Sequence, residues 1–122
     1  METTHWVDIN LISVTTMYSF VEIISRSESS DEIVVAYTDA IELLYLYEND
    51  STQICGWEGW IKYSDGSLGH SKKYQGTEDL SHMPKPSAIA LAKSTIMQSH
   101  NEWQEKPEVE NASLYYSITV NT

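Results

Sequence analysis

Apolar and polar positions divide the chain into blocks of differing period. Residues 9–25, INLISVTTMYSFVEIIS, are dense in β-branched and aromatic side chains. Bulky residues take the even positions Ile12, Val14, Tyr18, Phe20 and Ile24, and lighter ones take Leu11, Ser13, Thr15, Met17 and Ser19. With neither face cleanly polar, this block predicts a long central strand covered at least partly on both sides. In the following SRSESSDE, Ser29 with Glu32 three residues on fits a capping box. Residues 33–47 then place Ile33, Ala36, Tyr37, Ala40, Ile41 and Leu44 at helical spacing. Their β-branched start, Ile33-Val34-Val35, keeps a rival reading open: a hairpin at SESSDE followed by a strand.

QICGWEGWIKY reads as a strand, and Asp65-Gly66 as the tight turn of a hairpin. LGHSKKY returns as a short polar strand whose lysines suit a sheet edge. Pro84 and Pro86 fit the entry to a helix over 87–105, with Ile89, Ala92, Ile96, His100 and Trp103 on one stripe, Ala88 and Leu91 alongside, and Pro107 beyond its end. LYYSITV, residues 114–120, closes the chain as a strand with Leu114, Tyr116, Ile118 and Val120 on one face.

The order β-α-β-β-α-β predicts one α+β domain over residues 1–122. It has an antiparallel sheet of about four strands and two helices on one face, in ferredoxin-like order, with the other face open. The second architecture is an antiparallel sheet with a single long C-terminal helix.

Strand alternation over 57–63 puts Trp57, Gly59, Ile61 and Tyr63 on the apolar face and Glu58, Trp60 and Lys62 on the polar one. A large ring between two charges either shields an edge, stacks on the Lys62 stem or meets a partner. Tyr115 lies likewise on the polar face of the last strand. Covering of Trp60 by the segment around Trp6 is the structural alternative, and Gly56 and Gly59 permit a bulge or a close backbone approach.

Charge changes the picture most. Eighteen acids face seven bases, for a net charge of −11. Residues 1–58 carry −10 of it, with Arg26 their only lysine or arginine. On the helical reading Asp39 and Glu42 share an outer face, Glu28, Asp31 and Glu32 lie toward its start and Glu48 at its end, forming an acidic ridge. One-sided acidity suits a basic protein partner and disfavours direct binding of nucleic acid, which requires a basic patch. No run approaches the ~18 apolar residues of a membrane span, and METTHWVDINL lacks the basic-then-apolar order of a signal peptide, so a cytoplasmic protein is expected.

Candidate chemistry is sparse. Lone Cys55 reads as a small buried hydrophobe. The four histidines, His5, His70, His82 and His100, lack metal-ligand spacing, so no metal or cofactor is expected. No phosphate-binding, nucleophile-elbow or dinucleotide motif occurs. Residues 21–44, VEIISRSESSDEIVVAYTDAIELL, resemble the acidic helical region of colicin-nuclease immunity proteins. The later hairpin and long helix depart from that all-helical family, so membership is not inferred.

The expected function is a non-enzymatic, acidic protein-binding module, an immunity- or antitoxin-type inhibitor of a basic bacterial toxin such as a nuclease. Its contact residues are Glu28, Asp31, Glu32, Asp39, Glu42, Glu48, Glu58, Trp60 and Tyr115. The alternative is a small-molecule-binding or hydrolytic domain with a pocket between sheet and helix, lined by Tyr18, Tyr63, His70, His82 and Glu78.

Overall fold

Residues 19–76 and 79–121 are described by the structure, a computed structural model. Helix α1 occupies residues 19–25. It is followed by strand β1 (Val34–Val35), helix α2 (Tyr37–Glu48), the hairpin strands β2 (Gln53–Lys62) and β3 (Leu68–His70), helix α3 (Lys85–Glu105) and strand β4 (Ser113–Asn121). The class is α+β with a four-stranded antiparallel sheet, and the described residues hold three helices, one more than expected.

The sheet order is β1-β4-β2-β3, so β4 and β2 hold the centre. The β-α-β-β-α-β sequence is therefore present behind an added helix, but a ferredoxin-like sheet would place its first and third strands in the centre. Here these are β1 and β3, and both are at the edges. Length explains the placement: β1 has two residues and β3 three, while β2 and β4 have ten and nine. Only the long pair can sustain an extended ladder, from Gln53 opposite Asn121 to Lys62 opposite Ser113.

Alternation along the central pair holds as read. Trp57, Gly59 and Ile61 face inward opposite Ile118, Tyr116 and Leu114. Against this face α3 lays Ala88, Ile89, Ala92, Ile96 and Trp103, while α2 supplies Ala40, Leu43, Leu44, Leu46 and Tyr47. Tyr116, wholly buried, meets Trp57 edge-on with ring centroids 5.6 Å apart, and the Trp57 indole N–H donates to Thr95 Oγ1 of α3 at 2.8 Å. Gly59 is required by packing, because a Cβ there would overlap the Tyr74 carbonyl, and Tyr74 packs on Trp103. The bulge allowed by Gly56 is present as a register shift between Ile54 and Gly56; Cys55, expected as a small buried hydrophobe, is half-buried at that shift.

Elsewhere the local reading is corrected. The strand expected over 9–25 is helical where described, at 19–25; residues 9–18 lie outside the described residues. β-Branched content favours a strand there, but Phe20 and Ile23, three apart, both reach the core, and Phe20 meets Tyr47 edge-on. Helix α2 begins at Tyr37 and not after Ser29. The Ser29 hydroxyl accepts from Asp31 N–H in a local turn, and Val34–Val35 form a strand, as in the rival reading. On α3, Leu91 is exposed and Ser99 takes a buried place, its hydroxyl donating to the Thr95 carbonyl. The second sheet face is only partly open: Val34 and Ser117 on it are buried, Glu58, Trp60, Lys62 and Tyr115 are half-covered, and His70 is exposed.

Candidate functional site

The outward positions of β2 are Glu58, Trp60 and Lys62, and the hairpin decides what stands beside them. Gly66 takes the left-handed φ of 89° that closes the loop between Tyr63 and Ser67, which are joined by a Tyr63 N–H to Ser67 carbonyl bond of 2.9 Å. Three residues thus form the connection, and Trp60 pairs with His70. A two-residue loop at Asp65-Gly66 would have shifted the return strand by one residue and turned His70 to the other face.

Trp60 therefore sits between His70 and Tyr115, its register partners on β3 and β4. The Trp60 and His70 rings are 4.0 Å apart between centroids and inclined by 37°. His70 Nδ1 lies 3.3 Å from Glu58 Oε2. Trp60 itself is half-buried. Its indole N–H is sealed from solvent and has no hydrogen-bond partner among the described residues, so the ring offers carbon surface and not a donor. Trp6, the candidate cover for this ring, lies outside the described residues.

One residue further, the Lys62 ammonium forms an ion pair with Glu28 and stands 5.6 Å from the centroid of the Tyr115 ring. The Glu28 carboxylate chiefly, with Tyr115 next, holds the Lys62 ammonium above its ordinary value. This contact joins the ring face to a second feature. Glu28, Asp31 and Glu32 line a shallow cleft of about 430 Å³ with Ile24, Ile33 and a rim of serines. Ser27 fixes that loop: its Oγ accepts from Val34 N–H at 2.9 Å, and Glu28 N–H donates to the Val34 carbonyl at 2.9 Å. Asp31 and Glu32 are exposed and take no ion pair among the described residues.

Six of the expected contact residues, Glu28, Asp31, Glu32, Glu58, Trp60 and Tyr115, thus lie along one continuous surface, from the cleft through Lys62 to His70. The other three do not join it through any such contact. Asp39 is held by a bidentate pair with Arg26, both bonds 2.9 Å, and this pairing raises the guanidinium's affinity for its proton. Glu42 and Glu48 are exposed elsewhere on α2. The acidic ridge expected along one helix is therefore divided, because Glu28, Asp31 and Glu32 belong to a loop and not to α2. Lys62 and His70 are the site members that sequence reasoning underweighted. The Asp-Gly pair points to a two-residue turn and so to His70 on the other face; the three-residue loop, closed by the Tyr63 N–H to Ser67 carbonyl bond, is what brings His70 opposite Trp60.

Those residues proposed for an alternative pocket that the structure describes, Tyr63, His70 and His82, are not gathered in this way. His82 is exposed beside Asp79 at 3.7 Å, His70 lies on the ring face, and Tyr18 and Glu78 fall outside the described residues. A cleft between helices and sheet does exist, at the start of α2, and carries an imidazole, His100, without a carboxylate. Among the described residues no group of three His, Cys, Asp or Glu side chains could hold a metal ion, and no helix is long and apolar enough to cross a membrane. Comparison with known proteins gives no match: no family model, no curated protein and no solved structure is similar to this chain.

Proposed function

We propose that this chain is a non-catalytic binding module of the bacterial cytoplasm that neutralises a basic protein, in the manner of an immunity protein or antitoxin. A nuclease is the natural target, because a phosphate-binding face must itself be basic. One observation carries the reading. Lys62, paired to Glu28 and set over Tyr115, makes the carboxylate cleft and the aromatic face a single surface.

Each part of that surface has a physical role in such a complex. A lysine or arginine of the partner would lay its methylenes against Ile24 and Ile33 and bring its cationic head to Asp31 and Glu32. The half-buried Trp60 and Tyr115 would supply the apolar anchor that slows release. The net charge of −11 would steer a basic partner and speed encounter, an effect that salt screens over about 8–10 Å.

Co-expression tests this reading. The product of the reading frame adjacent to this chain's gene is expressed in bacterial cells alone and together with it. Growth arrest in the first case and rescue in the second are expected. A harmless neighbour, or arrest that persists in the presence of this chain, would contradict the proposal.

A further inference from the structure

Trp60 and Glu58, two residues apart on β2, project from the same outer face of the sheet. The Trp60 indole N–H is sealed, so the ring offers its π face, the strongest aromatic seat for a cation. The Glu58 carboxylate stands beside it, with His70 as its ion-pair partner among the described residues. One group therefore occupies both: the His70 imidazole lies over the Trp60 ring and turns Nδ1 to Glu58 Oε2. A ring face with a carboxylate at its rim suits a planar cation, and the chain fills it with a planar side chain of its own.

His70 is held there loosely. It comes from β3, a three-residue strand at the sheet edge with no strand beyond it among the described residues. Its side chain is 62% exposed, so it can turn into solvent without disturbing the core. Its 3.3 Å approach to Glu58 is longer than the roughly 2.7–2.9 Å of a charge-assisted hydrogen bond. Lys62, in the neighbouring pair over Tyr115, is half-covered and in direct contact with Glu28, so that cation is fixed where His70 is not. The flat shape of the resident group specifies what can replace it. A guanidinium stacks on an indole by its face, donates from its edge to a carboxylate and is weakly hydrated. An ammonium is a compact, strongly hydrated charge with no face to stack.

We propose that Trp60 and Glu58 form the seat for an arginine side chain of the partner protein, and that His70 is its resident stand-in, displaced when the arginine arrives. The guanidinium stacks on the Trp60 ring and donates to the Glu58 carboxylate, while the imidazole turns outward from the edge strand. The net charge of −11 draws such a group to the surface. The proposal deepens the inhibitor reading, on which it rests for the existence of a basic partner, by naming the side chain that this face selects. It also gives His70 the opposite sign to a contact residue, because removing it strengthens binding.

The test uses the whole chain and two capped peptides of equal charge, acetyl-Gly-Arg-Gly-Arg-Gly-amide and its lysine counterpart, with affinities read from amide NMR shifts on β2 and β3. Wild type, His70→Ala, Glu58→Gln and Trp60→Ala are compared, each with its fold checked by circular dichroism. In wild type the arginine peptide is expected to move the His70 ring signals toward those of free histidine, as the imidazole leaves the indole face. His70→Ala is expected to bind the arginine peptide roughly two- to fivefold more tightly than wild type, the worth of an exposed cation–π contact, and to leave the lysine peptide unchanged. Glu58→Gln and Trp60→Ala are expected to lose the preference for arginine. Equal or weaker arginine binding by His70→Ala would overturn the proposal, since His70 would then be a bystander or a contact. So would an equal gain for the lysine peptide, or no binding of the arginine peptide by any of the proteins. Each of these results strikes the exchange and leaves the inhibitor reading to its co-expression test; a harmless neighbour there strikes that reading and leaves the peptide result standing.

Discussion

Lys62 forms an ion pair with Glu28 across a gap of thirty-four positions in the chain, tying the loop after α1 to the outer face of β2. The pair raises the Lys62 proton affinity, and the pH dependence follows from that sign. A lysine with a raised folded value contributes stability that is complete below its unfolded value of about 10.4 and fades as pH climbs through the folded one. The wild type is expected to lose stability in that alkaline window, and Glu28→Gln to lose less of it. Urea midpoints between pH 8 and 11.5 measure the difference; identical pH profiles for both proteins would show that the pair is too solvated to matter.

Tyr116 gives a second alkaline signature with a different cause. Burial raises its phenol, with the nearby phenols of Tyr37 and Tyr74 adding to the effect, and its hydroxyl has no hydrogen-bond partner among the described residues. The neutral phenol is favoured in the fold, so stability is full below about pH 10 and falls as pH rises beyond it. Tyr116→Phe is expected to flatten that fall. At neutral pH it is expected to be neutral or to stabilise by up to ~1 kcal/mol, because removing an unsatisfied buried hydroxyl relieves a desolvation cost. Loss of more than about 1 kcal/mol in denaturant unfolding would show that the hydroxyl does find a partner.

Gly59 is a packing residue, and its substitution tests the seam between β2 and the segment carrying Tyr74. A Cβ at Gly59 would meet the Tyr74 carbonyl, which belongs to backbone and cannot rotate away. Gly59→Ala is expected to destabilise by roughly 2–4 kcal/mol, in the range of an overpacked core site. Gly66→Ala has open space around it and strains only the left-handed turn, so it is expected to cost about 1 kcal/mol. Thermal or urea unfolding of the two variants gives the order; the reverse order would contradict the packing described here.

The centre of the fold was legible because its pattern is strong. The alternation of Trp57, Gly59 and Ile61 with Glu58, Trp60 and Lys62 fixed both faces of β2, and Leu114, Tyr116 and Ile118 did the same for β4. The α3 stripe was equally plain. Residues 19–35 were not, because propensity and packing oppose each other there. Val and Ile content favours a strand, yet Phe20 and Ile23 bury their side chains from a helix, and Val34–Val35 extend for only two residues before α2. Strand order could not be read, since it is set by which strands are long enough to occupy the centre. In the candidate site, Trp60 and Tyr115 were found by face, whereas the Lys62–Glu28 contact is a long-range pairing that no local pattern encodes.

The central claim is that the cleft of Asp31 and Glu32 and the ring of Trp60 form one partner-binding surface. It is tested most directly by affinity capture from a lysate of the source cells, using wild type, Trp60→Ala and the Asp31→Lys, Glu32→Lys double variant as baits at low and high salt. The expected result is one basic protein retained by wild type. Trp60→Ala should weaken its retention by about 2 kcal/mol or more, a loss of thirtyfold. The double variant should weaken it in a way that salt mimics. Equal retention of the same protein by all three baits, or capture insensitive to salt, would contradict the account.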